Sequence, residues 1–390
     1  MNFMESEEQT AIQASVADWA KRELAPGANA RDTEARFDPE LYLRCGRDLG
    51  ITRLPFSEEF GGAGAGMQET SVAIEEIARQ DQSLAVTLMV SMAAGLMLVE
   101  NGSVEQIERY LPGIVAGTAL GAVAGTEPQA GSWTAGYTTR AVENATGWRI
   151  DGEKAFITNA GAPITSVVLV CAVTGGQPDK PQMTMFALPA DAPGLVYGKP
   201  YDKLGWRSSE TRPVFLDGVS APATSIVGKV GDGRHLVHGA FKVGRILISA
   251  MAVGMAQGCL DHAIAYARER KAFGGSIADF QLVQKAIADI AIRVETSRLM
   301  VRKSAWMRDE GQLDDGFLSM TKYYSTEAAS QCADLAIQVH GGYGFMNECA
   351  PTRFWRDGRV LRIGDGTSEI QIGLIARALG LTSLPRAVKT

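Results

Sequence analysis

The fold of this chain is decided by the stretch Arg362-Ile363-Gly364-Asp365-Gly366-Thr367-Ser368-Glu369-Ile370. Asp365 lies between two glycines, and a helix is predicted to begin directly after Gly366 with Thr367 as its N-cap. The free N–H groups of a helix N-terminus suit an anion, and glycines let the backbone approach a ligand closely. Asp365 is therefore a candidate base, although many Asp-Gly turns only reverse the chain.

Length and composition set the class of protein. The chain has 390 residues, which is more than one hydrophobic core usually holds, so we expect two or three packed units. A hydrophobic fraction of 46% and a charged fraction of 21% are typical of globular proteins. The net charge of −6 argues against a nucleic-acid partner, because nucleic acids favour a concentrated basic surface.

The five cysteines and four histidines show no metal-ligand or redox spacing, so we expect free thiols, no metal site and a cytoplasmic location. Residues 1–8 are acidic and lack the basic and apolar parts of a signal peptide. The most apolar run, residues 84–99, is shorter than the roughly 20 residues that span a bilayer. It predicts a buried helix rather than a membrane span.

Hydrophobic periodicity predicts three domains. Residues 1–117 have helical spacing, with Asp38 capping a helix that begins at Pro39 and with Pro26 ending the first helix. Predicted helices in this domain cover 6–24, 67–79, 82–100 and 103–116.

The remaining two domains are distinguished by the same periodicity, which is strand-like in one and helical in the other. Residues 118–231 contain short Val- and Thr-rich runs separated by turns such as Asp151-Gly152 and Asp217-Gly218, which predict a small β-barrel or sandwich. Residues 232–390 return to helical spacing, with helices predicted at 234–271, 279–309 and 314–340 and after Gly366.

The stretch 362–370 resembles the C-terminal motif of the acyl-CoA dehydrogenase family, aromatic-Glu-Gly-Thr-Ser/Ala-Glu/Gln-Ile. Asp365 stands where that family has its catalytic glutamate, and Gly364 replaces the aromatic residue. The resemblance extends over nearly the whole chain. It implies an N-terminal helical domain, a β domain and a C-terminal four-helix bundle, with FAD between the last two.

Two motifs of the β domain resemble flavin-contacting segments of the family. Residues 125–132, Gly-Thr-Glu-Pro-Gln-Ala-Gly-Ser, resemble its Thr-Glu-Pro-x-Ala-Gly-Ser motif, and Trp133 departs from the aspartate that usually follows. This implies that Thr126 and Ser132 lie beside the flavin, with Ser132 also near the CoA arm. Residues 154–161 resemble Lys-x-Trp/Phe-Ile-Thr-Asn-Gly/Ala, which implies that Phe156 packs on the flavin and Thr158 bonds near its N5 atom.

Motifs of the C-terminal domain imply contacts with the rest of the cofactor. Residues 268–274 resemble a Glu-Arg-x-x-Phe-Gly motif, and residues 338–344 resemble a Gln-x-x-Gly-Gly-x-Gly loop. By resemblance, Arg270 pairs with the FAD diphosphate. The other implied cofactor contacts are Phe273, Gln281, Gln338, Gly341, Gly342, Thr367 and Glu369. In the family these groups reach across a subunit interface, which implies a homotetramer or a dimer.

The resemblance also assigns the base. Some branches of the family carry it on the residue preceding Arg245, but that residue is Gly244 here, which leaves Asp365. Aspartate is one methylene shorter than glutamate and loses roughly 1.5 Å of reach toward the proton.

The resemblance implies FAD-dependent α,β-dehydrogenation of an acyl thioester carried by CoA or an acyl-carrier protein. Asp365 takes the α proton, the β hydride goes to flavin N5, and an electron-transfer flavoprotein receives the electrons. Two alternatives stay open: a relative that uses oxygen as an oxidase or monooxygenase, and a non-catalytic acyl-CoA-binding flavoprotein.

The sequence also suggests which acyl group the substrate carries. The implied substrate contacts are Ser132, Arg245, Met89, Met92 and Gly364. The helix at 82–100 has no Lys or Arg between Gln82 and Val99, so a second substrate carboxylate would lack a counter-charge. Gly364 and the run Ala93-Ala94-Gly95 remove bulk, which favours a branched or alicyclic acyl group, unless these small residues only permit close helix packing.

Overall fold

The computed structural model describes residues 6–177 and 179–381, so residues 1–5, for which no signal peptide is predicted, lie outside it, as do 178 and 382–390. The described chain runs from a helical unit through a sheet unit to a second helical unit. The predicted fold class is therefore confirmed.

Six α-helices form the first unit. Their bounds are α1 Glu7–Trp19, α2 Ala28–Glu34, α3 Pro39–Leu49, α4 Gly66–Ala78, α5 Gln82–Asn101 and α6 Val104–Val115. Most residues of α4 and α5 are buried. Asp38 caps α3 as predicted, and its Oδ1 accepts from the N–H of Leu41 at 3.2 Å.

The first helical segment ends at Leu24, two residues before Pro26, as the sequence predicts. After α1 the chain continues through a π turn, Ala20–Leu24, and a 3-10 turn, Ala25–Gly27, directly into α2. Pro26 lies in the first turn of a new segment, where its missing N–H deprives no helical carbonyl of a partner.

The expectation that α5 is too short to cross a membrane is wrong. α5 has 20 residues, and both it and the later helix Gly233–Glu269 are long and apolar enough to cross a membrane by length and composition. In each of these helices, 89% of the most apolar window is buried inside the protein, as in core helices. The predicted burial of α5 is confirmed.

The middle unit is one eight-stranded sheet. Its strands are β1 Leu120–Ala124, β2 Arg140–Asn144, β3 Gly147–Thr158, β4 Thr165–Gln177, β5 Lys180–Pro189, β6 Leu195–Tyr197, β7 Thr211–Ala221 and β8 Ile226–Val227. The order is β6-β7-β3-β2-β4-β5-β8, with β1 parallel to β4.

Strand β4 is buried on both faces. Val168 and Val170 belong to the core of the sheet itself, whereas Val167 and Leu169 belong to the core that includes the helices. Both faces of a strand read as apolar when both are covered, which explains the unbroken hydrophobic run here.

The two Asp-Gly pairs lie inside strands and do not separate them, so their prediction as turns is wrong. Asp151-Gly152 lies in β3 and Asp217-Gly218 in β7, where the pairing of the two strands shifts by a bulge. Gly152 and Gly218 have φ values of 151° and 62°. Asp-Gly supplies the positive φ that a bulge can require as well as a turn.

The last unit contains five helices: α7 Gly233–Glu269, α8 Gln281–Asp309, α9 Asp315–His340, α10 Ala350–Leu361 and α11 Ser368–Ala378. The sequence did not predict α10. Its buried face includes Arg353 and Asp357 beside Phe354 and Leu361, so charged residues interrupt the apolar periodicity. Between α7 and α8 lies a short hairpin, β9 Lys271–Ala272 and β10 Gly275–Ser276.

Buried ion pairs join the first unit to the last. Glu75 of α4 is 1% exposed and accepts from Arg298 and Arg302 of α8, each at 2.9 Å. At the end of α8, Asp309 accepts from the N–H groups of Met67 and Gln68 at 2.7 and 3.0 Å, which caps α4 across the interface. This contact holds α4 firmly against the bundle.

Close packing of α7 on α4 yields a stability prediction. A Cβ at Gly254 would lie 2.1 Å from the carbonyl oxygen of Glu75, so Gly254→Ala forces the two helices apart. We expect overpacking of this kind to cost about 1–3 kcal/mol or more and to lower the thermal unfolding midpoint.

The matched control for this prediction is Gly239→Ala in the same helix. A Cβ at Gly239 would meet no heavy atom of the described chain within 4 Å, so this variant should gain about 0.5–1 kcal/mol of helix propensity. Equal unfolding midpoints for the two variants would contradict the proposed packing.

Candidate active site

The Asp365 turn is held by donors from three helices. Asp365 and Gly366 both have positive φ, 52° and 90°, which is uncommon for an aspartate. The Asp365 carbonyl accepts from Arg245 Nε of α7 at 3.3 Å and from Gln371 Nε2 of α11 at 3.2 Å. The Gly366 carbonyl accepts from Lys322 Nζ of α9 at 2.9 Å and from Gln371 Nε2 at 3.0 Å. These bonds stabilise the left-handed backbone.

The Asp365 carboxylate is in an unusual environment. Its Oδ2 is buried and has no hydrogen-bond partner among the described residues. Burial raises the pKa of Asp365 above its ordinary value, while the charges of Lys322 and Arg245 lower it. A desolvated carboxylate with a free oxygen, flanked by cations, is suited to accept a proton.

Gly244 makes room for this carboxylate, and Gly364 leaves space beside the turn. A Cβ at Gly244 would lie 2.9 Å from Asp365 Oδ2, so a side chain at this position would displace the carboxylate. A Cβ at Gly364 would meet Ile248 Cδ1 and the Val360 carbonyl at 3.6 Å, an ordinary contact distance. Space for at least a methyl group therefore remains beside the turn at Gly364.

A buried ion pair fixes the Thr-Glu-Pro loop. Lys154 and Glu127 are both almost fully buried, and Lys154 Nζ lies 2.8 Å from Glu127 Oε1. Burial raises the pKa of Glu127, but the facing Lys154 charge and hydrogen bonds lower it to about 2. The carbonyl of Thr126 accepts from the N–H of Ala155 at 2.9 Å, so the pair holds Thr126 beside Phe156.

Phe156 and Thr158 face away from the sheet core, to which the intervening Ile157 belongs. Phe156 is 62% exposed, with a φ of 61° and its ring centroid 5.1 Å from that of Tyr201. An exposed aromatic side chain on strained backbone is typical of a ligand-binding site, where a bound ligand would cover the ring.

The next residue, Asn159, joins the sheet to the first helical unit. It is fully buried at a φ of 67°, and its Nδ2 donates to the carbonyls of Thr87 in α5 and Gly121 in β1 at 3.0 and 3.1 Å. The Phe156 strand therefore has a fixed position relative to α5.

A second set of predicted residues surrounds a cavity of about 510 Å³ at the end of α7. Arg270, Gly341 and Gly342 line it together, and the Arg270 guanidinium lies 5.8 Å from the ring centroid of Tyr343. A Cβ at Gly341 or Gly342 would meet no described heavy atom within 4 Å, so the backbone is open to a ligand. The charge and the open backbone suit a diphosphate.

Other predicted residues lie nearby or on the surface. Phe273 is 99% exposed at the tip of the β9–β10 hairpin, where Phe273 and Gly274 both have positive φ. Thr367 caps α11 as predicted, its Oγ1 accepting from Ile370 N–H at 3.3 Å. Exposed side chains include Ser132, Gln281, Gln338 and Glu369.

The predicted acyl-lining residues are buried in α5, which packs along α7; among them are Met89 and Met92. Of the two expectations for Ala94 and Gly95, the structure favours close packing over a wider cavity. A Cβ at Gly95 would lie 2.7 Å from Phe56 Cζ, and the Ala94 methyl lies 2.6 Å from where a Cβ at Gly121 would be. These two small residues permit close packing.

Sequence reasoning missed the supports of the site, which are Glu127, Lys154, Lys322 and Gln371. A signal for Lys322 existed. Residues 318, 325, 326 and 329, which share its helical face, are small or apolar, and such a face predicts burial.

Three domain families of acyl-CoA dehydrogenases match in turn: the N-terminal domain at residues 6–118, the middle domain at 122–219 and the C-terminal domain at 231–380. A probable acyl-CoA dehydrogenase of Bacillus subtilis is 39% identical over 97% of this chain and 100% of its own length. A cyclohexane-1-carbonyl-CoA dehydrogenase of Geobacter metallireducens is 35% identical over 97% of this chain and 98% of its own.

Solved structures agree. Butyryl-CoA dehydrogenase from Megasphaera elsdenii superposes with a TM-score of 0.94 at 32% identity, over 97% of this chain and 100% of that one. A structure described as the electron transferring flavoprotein of Acidaminococcus fermentans gives 0.94 at 31%, over 97% and 99%. The FAD complex of PigA gives 0.92 at 30%, over 98% and 100%. The chain therefore belongs to the acyl-CoA dehydrogenase family.

Proposed function

We propose that this enzyme oxidises an acyl-CoA thioester between its α and β carbons and that Asp365 is the base that removes the α proton. The observation that carries the proposal is the buried Oδ2 of Asp365, which has no partner among the described residues. Arg245 and Lys322 oppose the effect of burial on its pKa, which favours the ionised form that can accept a proton.

FAD is the cofactor, and the residues present fit it. Bound FAD supplies the acceptor for the hydride that leaves the β carbon. Arg270 and the open Gly341-Gly342 backbone provide a cation and close approach for the diphosphate, and exposed Phe156 provides a ring face for the flavin.

The protein's own contribution to the reaction is the position and basicity of Asp365. The left-handed turn packs the short carboxylate against Gly244, and burial removes the water that would otherwise stabilise its charge. When the α proton arrives on the carboxylate, the charge that burial opposes disappears, so burial makes Asp365 a stronger base than an ordinary aspartate. Arg245 and the rest of the turn keep the carboxylate in place.

The electron acceptor, the thioester carrier and the cellular location of the enzyme are also part of the proposed function. We infer that an electron-transfer flavoprotein accepts the electrons, that the thioester carrier is CoA or an acyl-carrier protein, and that the enzyme acts in the cytoplasm. Oxygen consumption without an added carrier would indicate the oxidase alternative. Retained FAD that no thioester bleaches would indicate the non-catalytic one.

We also infer a homotetramer in which the cofactor site is completed by a second copy. Its support is the exposure of large apolar side chains near the Arg270 cavity: Phe273 at 99%, Phe345 at 82% and Leu282 at 81%. Exposed apolar surface of this kind favours a partner. A dimer that shares the site remains the alternative assembly.

Asp365→Asn should abolish most of the reaction without removing the cofactor. The amide has the same shape but cannot accept the proton, so anaerobic flavin bleaching by a thioester should slow by about 10²- to 10⁴-fold. The FAD content, measured by absorbance, serves as the control and should not change. Bleaching at the wild-type rate would place the base elsewhere.

Arg270→Ala should weaken FAD retention. Loss of a charge-assisted pair worth about 1.5–3 kcal/mol corresponds to roughly 10- to 100-fold weaker binding, measured by FAD release during dilution. Arg268→Ala, which removes another exposed arginine two residues earlier, is the matched control and should retain FAD.

An FAD-loaded monomer in light scattering would refute the shared site.

The substrate proposal is a branched or alicyclic acyl group, supported by the space at Gly364. We expect higher kcat/KM for cyclohexanecarboxyl-CoA and isobutyryl-CoA than for butyryl-CoA and octanoyl-CoA. Gly364→Ala, whose methyl group fits at ordinary contact distances, should reduce that preference. Clear preference of the wild-type enzyme for either straight chain would contradict a wide pocket and leave the dehydrogenase proposal intact.

A further inference from the structure

Lys322 is a buried lysine whose amine reaches the Asp365 turn. It lies in α9 with none of its surface exposed, and its Nζ donates to the Gly366 carbonyl at 2.9 Å. A buried ammonium group carries a desolvation penalty of several kcal/mol that good geometry must offset. Because burying this ammonium group is unfavourable, we expect Lys322 to do more than fill the core.

Hydrogen bonding alone does not account for the lysine. The Gly366 carbonyl already accepts from Gln371 Nε2 at 3.0 Å, so the carbonyl would keep a partner if Lys322 were an apolar residue. What Lys322 adds is a positive charge beneath the turn. A neutral, well-packed side chain would fill the same space at lower cost.

The charged groups around Lys322 point to Asp365 as its counter-charge. The groups that influence it are Asp365, Arg245 of α7, Glu327 of α9 itself and Glu369 of α11. Glu327 already accepts from Arg362 Nε at 2.8 Å and from Ser368 Oγ at 2.6 Å. Glu369 is an exposed residue, where water screens its charge.

We infer that Lys322 is a positioning residue for Asp365: it fixes the left-handed turn through the Gly366 carbonyl and provides the buried positive charge that keeps the carboxylate ionised. The inference rests on the proposed function, because it assigns to Lys322 a role in the reactivity of the base. Burial lowers the pKa of Lys322 to about 8 and Asp365 opposes this, so the lysine is still charged at neutral pH.

The sign of the expected pH effect follows from the charges. Removing the cation leaves burial less opposed, so the pKa of Asp365 rises further. The acid limb of the rate, where the base becomes protonated, must then move to higher pH. Arg245, the other cation that faces the turn, stays charged across this range, because an arginine is effectively always protonated.

Two variants separate the charge of Lys322 from its hydrogen bond. Lys322→Met keeps length and apolar packing but removes both, whereas Lys322→Gln keeps an N–H donor without the charge. Anaerobic flavin bleaching by a thioester, followed in single turnovers from pH 5 to 9, should show the acid limb displaced upward in both. At pH values below the acid limb, the rate should fall about tenfold for each pH unit by which the limb moves upward.

Lys203→Met is the matched control. Lys203 is another lysine whose pKa burial lowers to about 8, but it bonds to Ser209 in the β6–β7 loop and to Thr211 at the start of β7. We expect this variant to lose thermal stability and to keep the acid limb of the wild type. FAD content and the unfolding midpoint of every variant identify any general damage, and Lys322→Gln decides the test if Lys322→Met does not fold.

The outcomes are distinguishable. A wild-type rate and acid limb in Lys322→Met or Lys322→Gln, with Asp365→Asn inactive, would overturn the role of Lys322 and leave the base assignment intact. Bleaching by Asp365→Asn at the wild-type rate would instead overturn the proposed function. An upward shift in both Lys322 variants but not in Lys203→Met would support the inference.

Discussion

The carboxylate of Asp365, whose Oδ2 atom is buried, is the constraint on which the arrangement of the site depends. Burial raises its pKa, two cations oppose that rise, and its Oδ2 has no partner among the described residues. A group in this state is stable only if its backbone cannot turn it toward water. Donors from α7, α9 and α11 supply that restraint, so three helices of the last unit are needed to position one side chain.

The sheet unit is positioned by different means. Strand β4 is buried on both faces, and Asn159 bonds to α5 and β1 at once. The Glu127–Lys154 pair sets the loop beside Phe156, whose exposed ring faces away from the sheet core. These contacts give the flavin-side residues a fixed place without depending on the Asp365 turn, so the two halves of the site are held independently.

Much of the fold was predictable because it is encoded locally. The cap at Asp38, the cap at Thr367 and the apolar run of α5 each depend on a few neighbouring residues. The errors arose where distant contacts decide the structure. Helix α10 buries charged residues against other elements, and the Asp-Gly pair at Asp151 forms a bulge only because β7 lies opposite. Motif resemblance predicted the candidate site residues, but spacing could not predict that Lys322 lies beneath the turn.

The central claim is that a thioester loses its α proton to Asp365 while the flavin is reduced. The most direct test mixes the FAD-loaded protein anaerobically with acyl-CoA thioesters that carry hydrogen or deuterium at the α carbon, followed at the flavin absorbance. The account predicts that the flavin bleaches in a single turnover and that α-deuterium slows it, because the base must break that bond. A flavin that none of the thioesters bleaches, or that bleaches without an α-isotope effect when binding is fast, would contradict it.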